Sequence, residues 1–228
     1  MIPWVQIDTA RVPGADVELR LMRRGVEFSM MLGPNELMNS RLSGSEEALA
    51  TLACRRIEAV KRPHLLIGGL GMGFTLRAAL AVLGNEARIT VAELVPAVIA
   101  WAKGPMAEIF GDSLDDPRAS IRSADVAEVI QSHASAFDTI LLDVDNGPEG
   151  LIRKANDALY DLKGLNAIRR ALRPSGVLAV WSSGPDSRFT KRLHDAGFDV
   201  NEVAVRATTK RSGARHVIWF AAKPASAG

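Results

Sequence analysis

The chain has 228 residues, 47% hydrophobic and 24% charged, with a formal net charge of +2. This is the composition of a globule with a full core, and the charge is too small to argue for nucleic acid. One cysteine, Cys54, excludes an internal disulfide framework and a Cys-based zinc site, and no run approaches the ~18 apolar residues of a membrane helix. Met1–Asp8 has no basic stretch followed by an apolar one, so no secretory signal is read and the cytoplasm is the expected compartment. The basic residues Arg206, Lys210, Arg211 and Arg215 read as a solvated loop. There is no internal repeat.

Residues 1–35 read as β structure. Val17–Met22 and Val26–Leu32 alternate around Arg23-Arg24-Gly25, which predicts a hairpin closed by Gly33-Pro34-Asn35. Ser43 opens a helix through about Val60, and Glu46 stands at the capping-box distance from it. Cys54 falls in this apolar helical pattern as a core thiol. The expected division is an N-terminal hairpin region, 1–42, and a second domain, 43–228.

From His64 onward strands and helices alternate. The expected strands are 65–68, 88–92, 119–122, 137–142 and 177–181, followed by 198–205 and 216–222. The expected helices are 74–83, 96–110, 126–132, 157–172 and 186–196. Regular alternation predicts an α/β fold, a Rossmann-like doubly wound sheet of seven strands. The last two strands are joined by a loop too short for a crossover, so they should pair antiparallel.

In such a sheet ligands bind at the carboxyl ends of the strands. The residues there form one set: Gly69, Gly71 and Gly73 after the first strand, Glu93 and Leu94 after the second, Asp125 and Val126 after the third, and Asp143, Asp145 and Asn146 after the fourth. A strand, a glycine turn and a helix start make a cradle for a nucleoside-bearing cofactor. Glu93, twenty residues beyond Gly73, suits ribose hydroxyls. Asp125 suits an adenine amine, the Val126 amide a ring nitrogen, and Asp125 also reads as a plain helix cap. A nicotinamide dinucleotide would want Gly-x-Gly-x-x-Gly, and Phe74 stands where its third glycine belongs.

The Gly69-x-Gly71-x-Gly73 spacing resembles that of the class I S-adenosylmethionine-dependent transferases. Within that group the chain is similar to the spermidine synthase family over roughly residues 15–222. The resemblance rests on Ile67-Gly-Gly-Leu-Gly-Met-Gly73, Val91-Ala-Glu-Leu-Val-Pro-Ala-Val-Ile99, Asp116-Pro-Arg118 followed by Asp125, and Leu159-Tyr160 through Leu172-Arg-Pro-Ser-Gly-Val-Leu178. It implies an adenosyl-sulfur donor, S-adenosylmethionine or its decarboxylated form, a small-molecule acceptor, and a homodimer. The chain departs from the family after the fourth strand. Aminopropyltransferases carry Asp-Ser-Ser-Asp-Pro-x-Gly-Pro there, and here the loop is the shorter Asp143-Val-Asp-Asn-Gly-Pro148. The family's Tyr-, His- and Gln-rich amine-recognition segment is replaced by Leu37–Glu47.

Transfer from a sulfonium needs alignment of a nucleophile and removal of its proton. Asp143 is the first candidate to face donor or acceptor, with Asp145 and Asn146 completing the site and Tyr160 closing it. Glu46 and Glu47 are placed to reach over from the N-terminal part. Each has a structural alternative: Asp143 and Asp145-Asn146-Gly147-Pro148 as turn residues, Tyr160 as a packed helix residue, Glu46 as the capping-box acid. Trp181 reads as core or rim, and His216 as a strand residue. No metal is expected. The first expectation is methyl transfer to a small amine or hydroxyl. The alternative is aminopropyl transfer from decarboxylated S-adenosylmethionine to a diamine, and a third reading is a cofactor-binding protein without catalysis.

Overall fold

A computed structural model describes residues 2–143, 158–207 and 214–225. The N-terminal part is a four-stranded antiparallel sheet, β1 (Val5–Arg11), β2 (Glu18–Arg24), β3 (Glu27–Leu32) and β4 (Asn35–Asn39), in sequential order. The expected hairpin is its inner pair, with Leu19 opposite Leu32 and Leu21 opposite Met30. Gly25 and Gly33 make the β2–β3 and β3–β4 turns with positive φ. Leu21, Phe28 and Met30 point into the core, so this sheet is packed onto the rest of the chain. Trp101 reinforces the contact by donating its indole N–H to Asp8 of β1 at 2.7 Å.

Helix α1 (Gly44–Arg56) starts where the sequence places it, but not by a capping box. Ser43 makes no side-chain cap bond, and the Glu46 carboxylate accepts from the Ser45 hydroxyl at 2.6 Å instead. Burial of Leu49, Ala50, Ala53 and Cys54 holds the helix down. The Cys54 thiol, pushed up to about 12 by burial, is a core group.

The remaining elements are β5 (His64–Gly68), α2 (Phe74–Val82), β6 (Arg88–Glu93), α3 (Pro96–Lys103), α4 (Ala107–Phe110), β7 (Ala119–Ser123), α5 (Val126–Gln131), β8 (Phe137–Leu142), α6 (Leu162–Ala171), β9 (Leu172–Ser182), α7 (Ser187–Asp195), β10 (Asp199–Arg206) and β11 (Arg215–Ala222). The second sheet has the order β10-β11-β9-β8-β5-β6-β7. Strands β5 to β9 pair parallel, and β11 runs antiparallel to both β9 and β10. This is the expected seven-stranded, doubly wound α/β sheet with its antiparallel end. Apolar side chains alternate between its two faces. Leu65, Ile67 and Leu141 meet α1, α2 and the N-terminal sheet, while Leu66, Ile140 and Leu142 meet α5, α6 and α7.

Helix α1 ends at Arg56 rather than about Val60, and α6 starts at Leu162, capped by Asp161, rather than at 157; two further elements differ in kind. The helix expected over 96–110 breaks into α3 and α4 at Gly104-Pro105, because Pro105 has no amide to continue the ladder and Gly104 leaves helical geometry. Strand β9 begins at Leu172 rather than 177. The Arg173-Pro-Ser-Gly176 stretch is an irregularity within the strand, with Ser175 at φ 62. The Asp116-Pro-Arg118 segment is a clamp: Arg118 pairs with Asp116 at 2.8 Å and donates to the Leu83 carbonyl at 2.7 Å, which fixes the entry to β7. That guanidinium holds the Asp116 carboxyl down at about 2. No helix among the described residues is long and apolar enough to cross a membrane.

Candidate active site

Strand β5 lies between β6 and β8, so the chain winds outward from it in both directions. The crevice at the carboxyl ends of these strands is the switch point of the fold. Its floor is the glycine turn. Gly69, Gly71 and Gly73 have φ of 89°, 51° and 78°, a region that side chains with a Cβ adopt at a cost. Close approach adds a second constraint. A Cβ on Gly71 would lie 2.7 Å from Cε of Met38, which reaches over from β4, and one on Gly73 would strike the Phe110 ring. A Cβ on Gly68, just before the turn, would lie 3.0 Å from Leu142 and 3.1 Å from Val126.

Glu93 ends β6 and is almost fully buried. One carboxylate oxygen accepts from the Leu70 amide and the other from the Val95 amide, each at 2.8 Å. Glu93 is thus a strut that ties the glycine turn to the β6 end as well as an acid in the crevice. Burial raises its pKa, against the lowering effect of the amides it accepts from. Leu94 follows it, half-buried. Asp125 caps α5, accepting from the Ala127 amide at 2.8 Å, and the buried Val126 side chain packs where Gly68 leaves room.

Asp143 stands at the end of β8, its amide bonded to the Gly68 carbonyl at 3.3 Å. Its carboxyl accepts from the Thr75 hydroxyl, in the first turn of α2, at 3.1 Å. Burial and the nearby Glu46 charge push the Asp143 carboxyl up to about 7, with Thr75 pulling the other way. Burial also raises Glu46. Both carboxyls are half-buried, and like charges acting on one another in such a place form an arrangement for accepting a proton or a cation at neutral pH. Glu46 thus bonds Ser45 rather than completing a capping box, and its charge acts on Asp143.

The structure thus gathers Gly69, Gly71, Gly73, Glu93, Leu94, Asp125, Val126 and Asp143 around the switch point. Asp145 and Asn146 lie outside the described residues. Tyr160, expected to close the site, is 2% exposed and packs edge-on to Phe189 at 5.5 Å. Burial of its ring fits the packed-helix alternative. Sequence reasoning missed Thr75, Ser45 and Met38. Only their neighbours' motifs hinted at them, since each reaches the site from a different element.

The sequence matches the Spermine/spermidine synthase domain model over residues 45–190. It is 31% identical over 157 residues to "Polyamine aminopropyltransferase 1" of Streptomyces coelicolor, covering 64% of this chain and 29% of that protein. It is 28% identical to the "Polyamine aminopropyltransferase" of Mycobacterium tuberculosis (strain CDC 1551 / Oshkosh), with 65% of this chain and 29% of that protein covered. The match thus spans less than a third of these relatives. Among solved structures, a spermidine synthase in complex with the transition-state analogue AdoDATO superposes with a TM-score of 0.74 at 20% identity, covering 97% of this chain and 73% of that one. The spermidine synthase of Thermotoga maritima gives 0.73 at 19%, with the same coverage. The chain belongs to the spermine/spermidine synthase domain family.

Proposed function

We propose that this protein is an aminopropyltransferase that joins the aminopropyl group of decarboxylated S-adenosylmethionine to an amine of a diamine or polyamine. The observation that carries the reading is the acidic pair Glu46 and Asp143 at the switch point. Two carboxyl groups attract an ammonium and repel a carboxylate. They suit a cationic acceptor and a donor without its own carboxyl group, and they do not suit intact S-adenosylmethionine. The names of the relatives point the same way. Methyl transfer from the intact donor, the first expectation from sequence, therefore gives way to its alternative.

The donor supplies a carbon already activated by its sulfonium. In the proposed site the glycine turn lets it approach the backbone, Glu93 offers its remaining lone pairs to the ribose hydroxyls, and Asp125 with the Val126 amide meets the adenine. Asp143 and Glu46 hold the acceptor amine in line with the C–S bond. The new C–N bond forms as the C–S bond breaks, the electron pair leaves on sulfur, and the amine proton passes to the carboxylate pair. Asp145 and Asn146, two and three residues beyond Asp143 in the sequence, are proposed as further ligands of the acceptor. Calorimetry with methylthioadenosine, S-adenosylhomocysteine, both donors and NAD tests the reading. Preference for methylthioadenosine and the decarboxylated donor is expected, and preference for S-adenosylhomocysteine overturns it.

A further inference from the structure

In the proposed transfer the acceptor's proton leaves from a site formed by Asp143 after β8, Thr75 of α2 and Glu46 of α1. Behind Glu46 stands a hydrogen-bonded chain. The Ser45 hydroxyl, 1% exposed, is 2.6 Å from Glu46 Oε2, and His216 Nδ1 is 3.0 Å from the same hydroxyl oxygen. His216 is on β11, half-buried, its ring edge-on to Trp181 at 4.8 Å. The start of α1 is pinned beside it, since the Gly44 amide donates to the Ala207 carbonyl at 3.1 Å. Three groups from two elements are therefore hydrogen-bonded in sequence, from Glu46 of the acidic pair to the half-buried ring of His216.

We infer that Ser45 and His216 are the proton exit of the transfer site, carrying to solvent the proton that Glu46 receives from the acceptor amine. The inference rests on the aminopropyl-transfer reading. Protonated Glu46 gives its Oε2 proton to Ser45 Oγ while the Ser45 hydroxyl proton passes to Nδ1 of a neutral imidazole. A carboxylate, an intact hydroxyl and an imidazolium result. The imidazolium loses its Nε2 proton to water and the ring is neutral again. Both ring nitrogens are needed, one inward and one outward. Burial lowers the His216 pKa, which keeps the ring neutral and able to accept near pH 7. Among the described residues, the titratable groups acting on Glu46 are Glu47 of α1, Asp143 of β8 and, through Ser45, His216.

The chain has a readout that simple packing lacks. With Glu46 ionised, Ser45 donates to it and accepts from Nδ1–H. With Glu46 protonated, the directions reverse and the ring carries its proton on Nε2. Nitrogen-15 NMR of His216 across the titration of the acidic pair should show this change of tautomer in the wild type and not in Ser45→Ala. In turnover with the decarboxylated donor and a diamine, His216→Ala and Ser45→Ala should lower kcat roughly a hundredfold, the lower end for acid–base assistance, with donor KM little changed. Free imidazole should restore the His216→Ala rate. A single His216 tautomer throughout, or unchanged kcat in both variants, overturns the proton exit. Turnover without tautomer coupling overturns the exit alone. Coupling without any aminopropyl product overturns the transfer reading and the exit role with it.

Discussion

Glu46, in the first turn of α1, stands near enough to Asp143, which follows β8, for its charge to raise the Asp143 pKa. The pair ties the N-terminal helix to the chemistry of the sheet. It has a thermodynamic consequence. The Asp143 carboxyl titrates at about 7 in the folded chain against an ordinary 3.8. Between those values the folded state holds a proton that the unfolded state has lost, so stability must fall as pH rises through the window. Denaturant unfolding at pH 4.5 and 7.5 should show a loss on the order of 2–3 kcal/mol, allowing for the charge shared with Glu46. Asp143→Asn should flatten the dependence. An equally steep dependence in that variant contradicts the assignment.

Binding of a diamine should reverse the same shift. A cation between the two acids favours their ionised forms, so protons are released on binding. Calorimetry in buffers of different ionisation heat should show net proton release near pH 6.5. Buffer-independent heats would place the acceptor elsewhere.

Glu93→Ala should cost stability as well as affinity. Removal of the carboxylate strands the Leu70 and Val95 amides in a buried place, and each unsatisfied donor costs about 1–3 kcal/mol. Urea unfolding and methylthioadenosine calorimetry on the same sample should both register the loss. Unchanged affinity would make Glu93 a strut only.

The glycine turn distinguishes two kinds of crowding. A Cβ at Gly73 meets the rigid Phe110 ring, whereas one at Gly71 meets the flexible end of Met38. Gly73→Ala should destabilise by about 2–4 kcal/mol and Gly71→Ala by about 1–2, since both carry the positive-φ penalty and only the first adds strain from a ring. Met38→Ala should relieve part of the Gly71→Ala loss and none of the Gly73→Ala loss. Equal rescue of both would contradict the packing.

Much of the sheet was legible in the sequence because apolar runs bounded by glycine, proline and acidic ends leave few alternatives. The four-stranded N-terminal sheet was less so. The burial of β1 is slight, and β4 carries Asn35, Glu36 and Asn39, a pattern that reads as loop. The donor half of the site followed from Gly69, Glu93 and Asp125, since each ends a strand or opens a helix. The acceptor half did not. The Ser43 to Glu46 spacing fits a capping box equally well, and only tertiary packing sets Glu46 against Asp143. The bond from His216 to Ser45 joins positions 171 apart, which no local pattern could reveal.

Product analysis distinguishes aminopropyl from methyl transfer without an intermediate step. The protein is incubated with a primary diamine and, in parallel, decarboxylated and intact S-adenosylmethionine, and the products are separated by mass. The decarboxylated donor should give methylthioadenosine and an aminopropylated diamine in equal amounts, with no turnover of the intact one. S-adenosylhomocysteine with a methylated acceptor, or donor binding with no product from either, would contradict aminopropyl transfer.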